Sequence, residues 1–279
     1  MIEYRRLFGF VAVTVAVVVL LVGASAGASA RDASGVIDAT CMGGSIAPGL
    51  YLSLEIAGVC TLDAGSVQVE HNVTVLSGGT LIAAYGGTDL KVGSNLNVGG
   101  NLYVMKNGIL VLGCEPLNFI CYNDPDQSVG SYFTRHTVGG NLIAGAALAV
   151  VVHLTVIGNN VSLNGGGGGV SSCSQSLPAL GGAPPYGDFE DMIIGGSLAI
   201  TGWQSCWLGF FRDAITGSVS FNNNVTGDPD GNEIATNSIV GNLRCTGNSP
   251  SPQIGDSAGG LTNVFGHASG QCANPRLVR

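Results

Sequence analysis

An aromatic-rich segment contains the residues best suited to binding a ligand. Both tryptophans of the chain, Trp203 and Trp207, lie within nine residues together with Phe210 and Phe211. Aromatic rings contact the apolar faces of sugars, and neighbouring carboxylates bind sugar hydroxyl groups. The predicted binding residues are Trp203, Trp207, Phe211, Tyr186, Asp188, Glu190 and Asp191. The alternative is that these rings pack beneath the segment 165–191, held there by a Cys173–Cys206 disulfide.

Side chains suited to catalysis are sparse. Glycoside hydrolysis requires paired carboxylates, and uronate elimination requires a Lys or Arg base with calcium held by acidic groups. The lysines are Lys91 and Lys106 alone, and the Asn-Thr-Asp and Arg-Ile-Lys signatures of polygalacturonases do not occur. His153 lies in the apolar run 150–156, which predicts a packed or outward-facing strand residue. The sequence therefore predicts no catalytic residues, with a carbohydrate-active enzyme as the alternative.

The segment Asp228-Pro229-Asp230-Gly231-Asn232-Glu233 is the best match to a metal-binding loop. Oxygen ligands that alternate around a glycine can hold calcium, so Asp228, Asp230 and Asn232 are weak calcium candidates. The downstream bidentate glutamate of an EF-hand is missing, and Pro-Asp-Gly is also a strong turn signal. We therefore predict a turn here and no cofactor.

The first thirty residues resemble a cleavable export signal. Arg5 and Arg6 precede the apolar run 7–22, and two A-x-A sites follow, at 24–26 and 28–30. Cleavage after Ala30 would release a secreted, extracellular chain. The alternative is an N-terminal membrane anchor, because the run approaches the length of a bilayer span.

The cysteines support the same compartment. All eight follow the signal, and an even number in an exported chain predicts disulfides. The spacing contains no C-x-x-C and no histidine beside a cysteine, which argues against zinc. Neighbours along the chain suggest the pairs Cys41–Cys60, Cys114–Cys121, Cys173–Cys206 and Cys245–Cys272, although sequence alone does not fix the connectivity.

Charge and composition exclude several classes of protein. Removal of residues 1–30 takes away two arginines and one glutamate, so the mature chain has a net charge of −9. Such a chain will not attract nucleic acid or anionic lipid headgroups. Charged residues make up 10% of the sequence and glycine contributes 45 residues, while Val, Leu and Ile are abundant. These proportions argue against both a helical globule and a disordered chain.

An internal repeat determines the predicted architecture. An apolar residue, one or two small turn residues, usually an Asn or Ser, and another apolar residue recur at intervals near twenty residues or twice that. The copies are 92–96, 98–102, 138–142, 157–161, 194–198, 215–219 and 240–243. Between them lie short alternating runs such as 66–69 and 73–76, which are typical of strands with one buried face.

Such repeats stack because no single repeat can bury its apolar face alone. Each would supply two or three short strands, and the inward side chains would form aliphatic columns. The asparagines of the repeat would stack as an amide ladder, namely Asn95, Asn101, Asn141, Asn160 and Asn242. We therefore predict an all-β fold, a right-handed parallel β-helix with disulfide-closed loops. The alternative is a β-sandwich, which also suits short strands and Gly-rich turns.

The final stretch of the chain carries a resemblance to a known group of proteins. The segments 239–243, Cys245-Thr246-Gly247-Asn248 and Gly270-Gln271-Cys272 resemble secreted β-helix proteins of actinobacterial type, which share the pectate-lyase-like architecture and have no established activity. The repeat is also similar to that of bactofilins, polymer-forming β-helix scaffolds. Bactofilins are cytoplasmic and lack disulfides, so export argues against that role.

Interruptions of the repeat predict the domain organisation. Residues 1–30 form the signal peptide, and 31–279 form a single domain. Within this domain, 31–65 is an N-terminal cap, 165–191 is a long loop insertion and 249–279 is a C-terminal tail. A rigid solenoid with projecting loops favours a secreted, non-catalytic structural or cell-wall-associated binding protein, whose partner would be a polysaccharide.

The cysteine pattern gives a first prediction. Because all eight cysteines are expected to pair, the denatured, unreduced mature protein should contain no reactive thiol when titrated with a thiol reagent. Reduction before the titration should release eight thiols per chain. Two or more thiols without reduction would contradict the predicted disulfides.

Overall fold

Short β-strands make up most of the structure. The computed structural model describes residues 36–63, 65–84, 94–113, 136–255 and 262–273. The first strands are β1 Ile37–Cys41, β2 Gly44–Ser45, β3 Gly49–Ile56, β4 Val59–Thr61, β5 Gly65–Val69, β6 Val73–Val75, β7 Thr80–Ala83, β8 Ser94–Val98, β9 Leu102–Val104 and β10 Ile109–Leu112. The central strands are β11 His136–Val138, β12 Leu142–Ala147, β13 Ala149–His153, β14 Thr155–Ile157, β15 Val161–Gly166, β16 Tyr186–Glu190, β17 Ile193–Ile194, β18 Leu198–Thr201 and β19 Gln204–Ser205. The last strands are β20 Trp207–Phe211, β21 Ala214–Ile215, β22 Val219–Asn222, β23 Val225–Thr226, β24 Asn232–Ala235, β25 Ser238–Ile239, β26 Leu243–Thr246, β27 Gln253–Gly255 and β28 Ala268–Gly270. Three 3-10 turns, Val170–Ser174, Pro178–Leu180 and Gln271–Ala273, are the helical elements of the described residues.

The strands pair in parallel with strands of the preceding and following repeats. They form sheets of 17, 9 and 2 strands within the described residues, and every strand pairing there is parallel. The nine-stranded sheet has the order β2-β4-β7-β10-β13-β16-β20-β24-β27, in which each neighbour comes from the next repeat. The antiparallel pairing of a β-sandwich is absent from the described strands. The fold is therefore all-β and parallel, as predicted.

The buried side chains form columns that run through successive repeats. One column follows the register of the nine-stranded sheet and another follows the large sheet. The first contains Leu112, Val152, Phe189, Phe210, Ile234 and Ile254. The second contains Val73, Leu102, Leu142, Val161, Leu198, Val219 and Leu243. These residues belong to one hydrophobic core, so the predicted aliphatic columns are confirmed.

An amide ladder joins the repeats along one corner. The Asn141 side chain donates to Asn101 Oδ1 at 2.9 Å and accepts from the backbone N–H of Asn160 at 3.1 Å. The ladder begins at Asn72 and continues through Ser197 and Ser218 to Asn242. Sequence separations along it are 29, 40, 19, 37, 21 and 24 residues, so every step except the 29 residues from Asn72 to Asn101 is near twenty residues or twice that.

Asn95 was wrongly expected in this ladder. It lies within β8, where its register partner is Ser66, and Asn72 occupies the first ladder position instead.

The glycines beside the ladder have a steric role. A Cβ at Gly158 or Gly195 would collide with a backbone carbonyl of the preceding repeat, so only glycine permits this approach.

The long insertion is shorter than the predicted range of 165–191. Strand β15 extends to Gly166, and residues 186–190 form strand β16 of the nine-stranded sheet. The excursion therefore spans 167–185.

The predicted cap, 31–65, already contains strands that pair in parallel with later ones, and β27 and β28 of the predicted tail extend the sheets.

Three of the four predicted disulfides lie in the described residues and are confirmed. They join Cys41 to Cys60, Cys173 to Cys206 and Cys245 to Cys272, with Cα–Cα distances of 6.3, 4.7 and 5.2 Å. These bonds indicate an oxidising environment. The predicted Cys114–Cys121 pair and the predicted signal peptide lie outside the described residues. No helix of the described part is long and apolar enough to span a membrane.

The ladder gives a stability prediction. Asn141→Ala removes two hydrogen bonds between amide side chains, one to Asn101 and one from Asn160, and leaves the N–H of Asn160 without its acceptor. We therefore expect the free energy of unfolding to fall by about 1–3 kcal/mol. Asn164→Ala is a matched control, because Asn164 is exposed on β15 of the next repeat. Denaturant unfolding measures both. Equal midpoints for the two variants would show that the ladder contributes nothing.

Candidate functional site

The nine-stranded sheet carries most of the residues that the sequence singled out for binding, and Trp203 lies outside it. Side chains alternate along each strand, so Phe189, Leu208 and Phe210 point into the core while their neighbours face outward. Outward-facing residues of the adjacent strands β13, β16, β20 and β24 lie side by side in two rows. One row contains Val151, Asp188, Gly209 and Glu233, and the other contains His153, Glu190, Phe211 and Ala235. This alignment places residues from distant parts of the chain side by side.

The N-terminal part of this outer face is apolar and covered. Ile109, Val111, Ala149 and Val151 pack together with Leu180, which is fully buried and belongs to the excursion 167–185. The Cys173–Cys206 disulfide ties that excursion to the residue before β20. The C-terminal part of the outer face, from β16 onward, is aromatic and charged.

An outward-facing aromatic group lies on β16 and β20. Trp207 is half-buried and stacks on Phe211, with ring centroids 5.4 Å apart and planes 3° from parallel. Tyr186 meets Trp207 edge-on at 6.0 Å. Gly209 lies between the two stacked residues on β20, and a Cβ there would overlap both rings. Because Gly209 has no side chain, the rings of Trp207 and Phe211 can stack on each other above the strand.

Trp203 does not belong to this group, which corrects the prediction. Its side chain is fully buried, and its indole N–H donates to Ser205 Oγ at 2.9 Å. The ring lies against Gly187, which occupies a core position without filling it. The interior space left by that glycine is filled by the indole, so the ring is unavailable to a ligand. For Trp203 the alternative of core packing holds.

A compact cluster of one imidazole and two carboxylates lies beside the aromatic group. His153 Nε2 is 3.0 Å from Asp188 Oδ2, and one ligand atom each of His153, Asp188 and Glu190 lie within 4.8 Å of one another. All three side chains are buried. Asp188 and Glu190 were expected in the long loop insertion 165–191, but they lie on strand β16.

Arg212 joins this cluster to the corner of the sheet. Its Nη2 donates to Glu190 Oε2 at 2.6 Å, and its Nε donates to Asp191 Oδ1 at 3.0 Å. Asp191 and Arg212 each follow a strand of the sheet, and both adopt a positive φ, 54° and 56°. The shared turn geometry places the two residues on neighbouring repeats at one corner, where their charges pair.

Glu233 adds a further carboxylate next to the aromatic group. Trp207 Nε1 donates to Glu233 Oε2 at 2.9 Å. Burial raises the pKa of Glu233, an effect that the hydrogen bond from Trp207 opposes and that Asp188 reinforces through charge repulsion. The arrangement offers a ring face and a hydroxyl acceptor close together.

The predicted calcium candidates form a turn. Asp228 Oδ1 accepts from the backbone N–H of Asp230 at 2.9 Å, and the N–H of Gly231 donates to the Asp228 carbonyl. Asn232 is fully buried on β24 and donates to the Pro250 carbonyl at 2.8 Å. Asp228 and Asp230 are exposed in this turn, whereas the Asn232 side chain is committed to the interior.

Sequence reasoning missed the roles of His153 and Arg212. The apolar run 150–156 predicts that His153 is a packed or outward-facing strand residue, but its neighbours depend on the register between β13 and β16. The excursion 167–185 lies between these two strands along the chain, and no local sequence pattern predicts which residues pair across it. Arg212 had a local signal, since it directly follows the aromatic strand β20.

The chain matches no protein-family model, no curated protein sequence and no solved structure. Its functional assignment therefore depends on the geometry described above.

A second polar ladder next to the site contains one acid. Asp213 Oδ1 accepts from the N–H of Met192 at 2.9 Å, and Asn237 and Asn263 take the equivalent positions in the next two repeats. Those two asparagines donate their amide N–H groups to the carbonyls of Phe210 and Ile234. Burial raises the pKa of Asp213 well above its ordinary value, and nearby acids reinforce the shift. This shift favours the neutral, protonated form of Asp213, which lacks the amide N–H donor of the two asparagines.

Asp213→Asn should restore that donor and stabilise the protein at neutral pH by about 1 kcal/mol. The pKa of Asp213 is higher in the folded protein than in the unfolded chain, where it is about 4. The folded state therefore binds the proton more tightly, and the free energy of unfolding of the wild type falls as the pH rises above about 4. The difference between variant and wild type should therefore be small at pH 3 and grow towards pH 7 in denaturant titrations. A pH-independent difference would contradict a protonated Asp213.

Proposed function

We propose that this protein is a secreted, disulfide-bonded, right-handed parallel β-helix that acts as a non-catalytic binding module at the cell surface or wall. Its ligand would be a polysaccharide, bound at the outward-facing aromatic group of Tyr186, Trp207 and Phe211. The observation that carries the proposal is the partly exposed, stacked Trp207 with Glu233 hydrogen-bonded to its indole.

Several features support the β-helix. Strands pair in parallel with strands one repeat away, inward side chains form columns and Asn side chains form ladders. Consecutive parallel strands in such an arrangement are joined by right-handed crossovers in nearly all proteins. Secretion is supported by the disulfides and by the signal-like residues 1–30.

A sugar suits the aromatic group on chemical grounds. Ring faces contact the C–H groups of a sugar, and the carboxylates of Glu233 and Asp191 accept hydroxyl hydrogen bonds. The rings lie on strands that are hydrogen-bonded on both sides, so they are ordered before a ligand arrives. A preordered surface reduces the entropy cost of binding.

The state of the nearby acids supports binding without catalysis. Asp188 pairs with His153, and Glu190 pairs with Arg212, in a buried cluster. Hydrolysis would require an acid and a base with access to the sugar. These two carboxylates are instead bonded to neighbouring side chains within the fold.

A carbohydrate-active enzyme is the second candidate. The specific observation in its favour is that Asp188 and Glu190 lie within 4.8 Å of each other while burial raises the pKa of nearby Glu233. A raised pKa is what a general acid requires. Release of reducing ends from a polysaccharide by wild type, lost in Glu233→Gln, would favour the enzyme.

The binding proposal predicts a loss of affinity in Trp207→Ala. Trp203→Phe leaves Trp207 as the single tryptophan, so fluorescence of that variant reports the outer face alone. Titration with soluble cell-wall and plant oligosaccharides should produce a saturable change in emission. Removal of the Trp207 ring should weaken binding at least tenfold in calorimetry, which corresponds to about 1.4 kcal/mol.

Tyr103→Ala is the matched control. Tyr103 is a partly exposed aromatic residue on β9, outside the nine-stranded sheet, and its loss should leave affinity unchanged. Emission that no oligosaccharide alters, or equal affinities for wild type and Trp207→Ala, would remove the aromatic group as the ligand site.

A further inference from the structure

The buried cluster of His153, Asp188 and Glu190 has the composition of a metal centre. It offers an imidazole nitrogen and two carboxylates whose ligand atoms all lie within 4.8 Å of one another. Two ligands at about 2.1 Å from one ion lie roughly 3.0–3.4 Å apart, and His153 Nε2 is 3.0 Å from Asp188 Oδ2. The three side chains project from the paired strands β13 and β16, so the backbone fixes their separation.

Asp188 lacks the contacts that a buried carboxylate normally has. Its side chain is 4% exposed, and Oδ1 is buried without a hydrogen-bond partner. No lysine or arginine pairs with Asp188 within the described part of the chain. A buried carboxylate oxygen in this state is costly unless a cation lies against it.

The surroundings favour further positive charge. The guanidinium of Arg212 is shared between Glu190 and Asp191, and Glu233 lies two repeats beyond Asp188 with Gly209 between them. A divalent ion would offset this concentration of acids. Arg212 would then orient the Glu190 carboxylate from outside the metal, as partners of metal ligands do in known sites.

We propose that His153, Asp188 and Glu190 bind a divalent transition-metal ion of the zinc class. Calcium and magnesium prefer sites built from oxygen ligands alone, whereas an imidazole with carboxylates suits Zn²⁺. The ion would link β13 to β16 across the excursion 167–185, and it would hold Asp188 beneath the aromatic group. This proposal does not depend on glycan binding.

Equilibrium dialysis of chelator-stripped protein against Zn²⁺ tests the site directly. Wild type should retain one ion per chain by elemental analysis and melt at a higher temperature with Zn²⁺ than without it. Asp188→Asn keeps the size of the side chain and should bind Zn²⁺ at least about 100-fold more weakly. Asp230→Asn removes an exposed acid from the turn after β23 and should bind like wild type.

Co²⁺ provides a readout that needs no variant. Visible absorption bands from Co²⁺ in wild type, displaced by one equivalent of Zn²⁺, would support an ordered site with nitrogen and oxygen ligands. Zinc bound equally by wild type and Asp188→Asn would indicate surface histidines such as His71 and His267 and would overturn the proposal. Absence of zinc binding and of cobalt bands in wild type would also overturn it.

Discussion

Backbone hydrogen bonding between repeats is the interaction on which this structure depends. Strands inside the sheets satisfy their N–H and C=O groups with strands from the repeats before and after them. The same stacking aligns side chains into columns, so an apolar position in one repeat requires an apolar position in the next. The Asn72-to-Asn242 ladder extends the rule to polar residues, because each side chain caps a backbone N–H of its neighbour.

Excursions are tolerated because they leave this stacking intact. Strands β15 and β18 pair in register although 37 residues separate Asn160 from Ser197, much as β18 and β22 pair across a shorter repeat. The excursion 167–185 is therefore free to cover apolar side chains on the outer face, and its disulfide to Cys206 keeps it there. The aromatic and charged half of that face lies beyond the residues that pack on Leu180, with Tyr186 and Trp207 half-buried and the His153, Asp188 and Glu190 side chains buried.

The charged half is organised by pairing in a poorly solvated setting. His153 with Asp188 and Arg212 with Glu190 are buried pairs, and breaking one partner of such a pair costs more than the pair contributes. Asp213 shows the alternative solution, in which burial raises the pKa and the acid takes the place of an asparagine. A metal ion at His153, Asp188 and Glu190 would be a third way to compensate a buried acid, since its positive charge would offset the Asp188 carboxylate.

The sequence by itself indicated the parallel all-β class and the apolar columns, because these follow from local patterns. It also suggested the three described disulfides from neighbours along the chain, without fixing the connectivity. It also located Tyr186, Trp207, Phe211 and the acids of β16. It misassigned Trp203, whose ring fills the space left by Gly187, and Asn95, which lies within a strand. Only the tertiary structure placed His153 beside Asp188 and Arg212 beside Glu190. Those contacts depend on the register between strands separated by excursions, and that register is set by the packing of whole repeats rather than by any local sequence signal.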